Sequence, residues 1–177
     1  GILLQFSFHR NITVKSNYRK DTILIVSMNL EEKYLLPDIK NKVSQFYKAP
    51  VKCIDTCLSP AAYIKGINRY DAGQLINYLS GINNGYKFIV GITSKDICTK
   101  KDNYPNWGVF GLGTLDNTGC VISTFRMRNN VPSSKLLTRT EKVVLHEIGH
   151  NYGLNHCTSE YPCFMKDANG TIKEVDE

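Results

Sequence analysis

The stretch that decides the fold is His146-Glu147-Ile148-Gly149-His150-Asn151-Tyr152-Gly153-Leu154-Asn155-His156. Residues 140–152 contain no proline and alternate charged with apolar positions at helical spacing. That pattern predicts a single helix presenting His146 and His150, one turn apart, on one face. Two such imidazoles reach one tetrahedral zinc at about 2.0–2.1 Å, which leaves a third protein ligand to find and one position open. Gly153 supplies the reversal, because glycine at a helix end adopts the left-handed conformation that turns the chain and lets His156 swing back to the metal. Glu147 points beside the metal, where a carboxylate acts as general base on zinc-bound water and then as acid toward the leaving amine. The chain has four histidines and three lie in this run, so chance placement on an ordinary helix is a poor explanation. A structural zinc is the stronger alternative. Three histidines with no fourth ligand at that spacing nevertheless describe an open catalytic site, with Cys157 the adjacent residue able to compete.

The run resembles the signature of the metzincin metallopeptidases, His-Glu-x-x-His-x-x-Gly-x-x-His followed by a methionine turn. Cys157 directly after the third histidine, with Cys163-Phe164-Met165 soon after, is similar to the archaemetzincin branch. So is the order of four upstream segments: Arg69-Tyr70-Asp71-Ala72, Ile89-Val90-Gly91-Ile92-Thr93 with Asp96, Val109-Phe110-Gly111, and Val121-Ile122-Ser123-Thr124-Phe125-Arg126. The resemblance implies a zinc-dependent metallopeptidase in which His146, His150 and His156 bind Zn2+, Glu147 is catalytic and Met165 forms a hydrophobic floor. It implies a single catalytic domain of α/β sandwich type, with a mixed, mostly parallel twisted sheet, packed helices and an antiparallel edge strand that pairs with an extended peptide or protein substrate. An N-terminal subdomain (1–153) then carries the active-site helix, and a short C-terminal subdomain (154–177) carries the third histidine and the methionine turn.

Two departures from the branch stand out. Cys157 and Cys163 are separated by five residues rather than four, and no Cys-x-x-Cys follows Met165. A second, four-cysteine zinc site therefore lacks half its ligands unless Cys53 and Cys57 substitute, and one catalytic zinc is expected. No tyrosine closely follows Met165, so no switching fifth ligand is assigned. A zinc-containing binding protein without peptidase activity, and a zinc hydrolase of a non-peptide amide, are the other readings that share this motif.

A chain of 177 residues fits one domain with a proper core. No apolar run approaches the ~20 residues that span a bilayer. The opening Gly1-Ile2-Leu3-Leu4-Gln5-Phe6 reads as a processed or recombinant end rather than a signal-peptide core. The net charge is +6, with basic residues gathered between Lys15 and Lys20 and at Lys95, Lys100 and Lys101. Without an aromatic-interleaved basic motif these describe a solvated face and not a nucleic-acid site, and a monomer is expected. Six cysteines permit fifteen pairings. Cys157 and Cys163 are the nearest candidates for a disulfide or a thiolate pair on a metal; paired cysteines favour an extracytoplasmic location and reduced ones the cytoplasm. Cys98 and Cys120 read as free core residues.

Along the chain, residues 1–20 read as an extended arm or edge strand. Strands are expected at 22–27, 51–58, 87–93, 107–114 and 120–125, the first and third as β-branched runs buried on both faces. Helices are expected at 30–48, begun or kinked at Pro37, at 71–79, ended by Gly81, and at about 134–152. Residues 96–106 read as a loop, 116–119 as a turn and Asn169-Gly170 as a late turn. Strands alternating with helices imply a largely parallel sheet with helices against it. The glycines Gly108, Gly111 and Gly113 suit either a bulged edge or the close approach of another backbone.

Overall fold

The computed structural model describes residues 20–115, 117–158, 163–167 and 170–176. The N-terminal arm, Asp116 of the expected turn and Asn169 lie outside them.

The β-branched run becomes strand β1 (Ile23–Met28), every residue of it buried. A 3-10 turn at Lys33–Leu35 leads into helix α1 (Leu36–Tyr47), with Pro37 in its first turn, where the missing N–H costs nothing. Strands β2 (Val51–Thr56), β5 (Phe88–Thr93), β8 (Gly111–Gly113) and β9 (Gly119–Ser123) join β1 in a five-stranded sheet of order β2-β1-β5-β9-β8. The first four strands of that order are parallel, and β8 lies antiparallel at the edge with Gly111 opposite Ile122 and Gly113 opposite Cys120.

Alternation along β1 builds two cores. Ile23 and Ile25 face α1 and helix α3 (Ser133–Asn151) through Ile39, Val43, Val144 and Ile148. Leu24, Val26 and Met28 face helix α2 (Ala72–Ile82) through Ala72, Leu75, Ile76 and Leu79. Burying a side chain of this size stabilises by about 1.5–3 kcal/mol, and a sheet covered on both faces needs the continuous apolar strands seen here. The side chain of Asp71 accepts the Gln74 N–H as N-cap of α2. Gly81 lies inside this helix instead of ending it, and the cap is Asn83.

The expected loop at 96–106 is the main correction. It forms strand β6 (Ile97–Lys101), which pairs in an antiparallel hairpin with β7 (Tyr104–Val109). With β3 (Tyr63–Ile64) and β4 (Arg69–Asp71) these make a second sheet of order β3-β4-β6-β7. The strand expected at 107–114 is split between the two sheets, changing over at Phe110. A short helix α4 (Ile172–Asp176), also unforeseen, is tied to α3 by a bidentate pair from Arg139 to Asp176, both bonds 2.8 Å.

The segment before α1 is anchored by Glu32. Its carboxylate accepts from Ser94, from Thr124 Oγ1 at 2.9 Å and from Arg128 Nη1 at 2.8 Å. Burial raises its pKa, but the bonds from Ser94, Arg128 and Thr124 outweigh burial and hold it below its ordinary 4.5. A depressed carboxylate contributes stability that is present above the unfolded pKa and lost as pH falls through the folded one. Chemical denaturation from pH 7 to below 4.5 should therefore show a loss of about 1–3 kcal/mol that Glu32→Gln largely removes.

Candidate metal centre

Helix α3 and the turn that ends it assemble the centre. The last turn is closed by Gly153 N–H to His150 O at 2.9 Å and Leu154 N–H to Gly149 O at 3.0 Å, with Gly153 at φ +82°. This pair of bonds is a Schellman cap, which returns the orphan carbonyls of α3 and throws the chain back across the helix end. His156 thereby meets His146 and His150, and one ligand nitrogen from each lies within 4.8 Å of the others. Among the described residues this is the group of histidine, cysteine and acidic side chains able to share an ion.

The tautomers are fixed by the backbone. His146 Nδ1 lies 2.8 Å from Phe164 O, and His150 Nδ1 lies 2.8 Å from Leu154 O. A carbonyl only accepts, so each Nδ1 carries the proton and each neutral ring presents its Nε2 lone pair. Burial favours the neutral form, pushing His146 down to about 4 and lowering His150 as well. The two Nε2 atoms stand 3.0 Å apart. Two lone pairs facing each other at that distance repel unless a cation lies in front of both, so the donor set fits a metal. His156 adds a third ring, and Asp167 places a carboxylate oxygen 3.8 Å from its Nδ1, close enough to orient it electrostatically.

Glu147 lines the same cleft as these rings. It is buried, and burial raises its pKa to about 8 against the opposing hydrogen bond from Gly113 N–H. The glycines of β8 exist for this packing. A Cβ on Gly111 would stand 2.7 Å from Glu147 Oε1, and one on Gly113 would stand 2.6 Å from the Glu147 backbone oxygen. The close approach anticipated for these glycines is thus made by the α3 carboxylate and backbone. Gly113→Ala should destabilise by about 1–3 kcal/mol, because neither backbone yields easily. Gly81→Ala, with nothing within 4 Å of its new Cβ, should be neutral or mildly stabilising; urea denaturation of both variants makes the comparison.

Met165 lies buried under α3, where a Cβ on Gly149 would come within 2.4 Å of its Sδ. Its carbonyl accepts Cys157 N–H at 2.8 Å, which ties the third-histidine segment to the methionine turn. No disulfide joins any of the six cysteines; Cys163 is hydrogen-bonded to Cys157, and Cys98 and Cys120 are buried as expected.

The centre opens on a cleft of about 740 Å³, walled by Phe110 to Gly113 on one side and by Phe164, Lys166 and Asp167 on the other. The sequence profile of peptidase family M54 matches residues 20–177. This chain belongs to that family. Archaemetzincin of Thermococcus kodakarensis is 32% identical over 167 residues, covering 87% of each chain, and that of Haloquadratum walsbyi is 38% identical over 117 residues. The latter match spans 62% of this chain and 64% of the relative's length. Among solved structures, archaemetzincin from Archaeoglobus fulgidus, complexed with malonate, superposes with a TM-score of 0.75 at 28% identity, covering 88% of this chain and 90% of that one. Archaemetzincin from Methanopyrus kandleri gives 0.77 at 26% identity, covering 92% and 88%. The M54 fold thus accounts for the parallel sheet and its antiparallel edge. Asp167 is the site residue that sequence reasoning missed, since a lone acid eleven residues past the last histidine carries no spacing signal.

Proposed function

We propose that this M54 chain is a zinc-dependent metallopeptidase that hydrolyses peptide bonds, with His146, His150 and His156 holding one zinc and Glu147 moving the proton. The observation that carries this reading is the pair of Nε2 lone pairs 3.0 Å apart, each fixed by a carbonyl behind it, with a buried carboxyl on the same helix. Zinc bound there supplies a Lewis acid that polarises a peptide carbonyl, lowers the pKa of water to roughly 7 and favours the ionised form of the adjacent carboxyl. Glu147 takes the proton from the attacking water and returns it to the leaving amine. The Gly113 N–H holds its carboxyl in place for both transfers. Met165, packed against Gly149, supports the helix turn between the two ligands.

Strand β8 is the last strand of its sheet, with β9 on one side. Its other edge offers backbone N–H and C=O groups to an extended peptide, which sets the substrate across the cleft beside Glu147. No helix among the described residues is long and apolar enough to cross a membrane. The three ligands and the base come from one chain, so a monomer is a complete catalytic unit. Residues 1–153 act as the larger subdomain and 154–177 as the smaller one beneath the cleft. Cleavage of a mixed peptide library, abolished by a chelator and restored by zinc, tests the reading. Cleavage that survives complete chelation would refute it.

A further inference from the structure

Beside the cleft lies a second cavity of about 510 Å³, lined by Arg69, Tyr104, Asn106, Trp107, Gly108 and Arg126. Trp107 and Gly170 border both spaces, so the two share a wall. At the back of the second cavity two guanidinium groups converge on one carboxylate. Arg69 Nε donates to Asp96 Oδ2 at 2.8 Å, while Arg126 donates through Nε to Oδ1 at 2.7 Å and through Nη2 to Oδ2 at 3.0 Å. Arg69 Nη1 donates to Asn106 O at 2.8 Å.

One bidentate arginine already satisfies a carboxylate in charge and geometry. The second leaves a surplus positive charge, and its position is accessible. The Asp96 side chain is 9% exposed, whereas those of Arg69 and Arg126 are 30% and 32% exposed. Arg69 Nη2 and Arg126 Nη1 have no hydrogen-bond partner among the described residues. The chain also makes room for this arrangement. A Cβ on Gly108 would fall 2.1 Å from Arg126 Cζ, so the guanidinium lies flat on the β7 backbone and a larger residue would expel it. From Gly108 to Gly111, which packs on Glu147, is three residues, at most about 10 Å of extended chain.

We propose that this cavity is a specificity subsite that takes a carboxylate of the peptide substrate, within about three residues of the bond cleaved. The inference rests on the peptidase reading and extends it to substrate choice. An acidic side chain and a free C-terminus both supply the required group.

Trp107 is the chain's one tryptophan and borders both spaces, so its fluorescence reports peptide binding without turnover, and the difference between probes reads the carboxylate. Three capped peptides serve as probes: one with Glu three residues from its centre and an amidated end, one with Gln there, and the Gln peptide with a free C-terminus. Each is titrated into metal-free and zinc-loaded protein. The Glu peptide, the free C-terminus or both should bind about tenfold more tightly than the Gln amide, and the difference should shrink at about 0.5 M salt. Whichever carboxylate gains affinity identifies the source. Arg126→Gln should erase the difference and Arg126→Lys restore part of it. Equal binding of all three by the wild type overturns the proposal without recourse to any variant, as does a preference that persists in folded Arg126→Gln. Carboxylate preference without cleavage of any peptide would fault the peptidase reading alone, while cleavage of all three peptides at equal kcat/KM would fault the subsite alone.

Discussion

Glu147→Gln is expected to lower peptide hydrolysis by about 10²–10⁴-fold while zinc content stays that of the wild type. Glutamine matches glutamate in size, and its carbonyl oxygen still accepts the Gly113 N–H that holds the side chain against β8. What it lacks is a group able to take a proton from water and give it to an amine. Because the imidazoles of His146 and His150 are positioned by the carbonyls of Phe164 and Leu154, the metal centre does not depend on the Glu147 charge for its geometry. Steady-state cleavage and metal analysis on one preparation separate the two effects. Retention of most activity would remove Glu147 from its role.

His150→Ala should act on the metal itself, weakening zinc binding by at least about 100-fold and taking hydrolysis to background. Two changes combine there. The variant deletes one Nε2 donor, and it also frees the Leu154 carbonyl that His150 Nδ1 engages at the Schellman turn. The path of the chain from Gly153 to His156 then loses an anchor. Equilibrium zinc titration against a competing chelator measures the loss, and unchanged affinity would show that His150 is not a ligand.

The centre was legible because its geometry is local. Two histidines at helical spacing, a glycine at the helix end and a third histidine three residues later need little tertiary information, and the structure returns the helix and the left-handed Gly153. The five-stranded sheet was legible for a similar reason, since β1 and β5 are runs that water cannot wet on either face. The second sheet was not. Ile97 and Cys98 are its only fully buried positions in β6, the lysines at 100 and 101 face the cleft side, and β7 carries Pro105 and Gly108, which local rules assign to loops. Its pairing is a tertiary decision, supported by the Arg69, Asp96 and Arg126 bridges across distant segments. Helix α4 escaped for the same reason, being five residues long and held by Arg139 from another element.

The catalytic metal is tested most directly by zinc content per chain, measured alongside peptide hydrolysis before chelation, after it, and after zinc is returned. The account predicts about one zinc per chain, with hydrolysis falling and recovering in proportion to it. Full hydrolysis by protein stripped of zinc would contradict it, as would about one zinc per chain with no peptide cleaved.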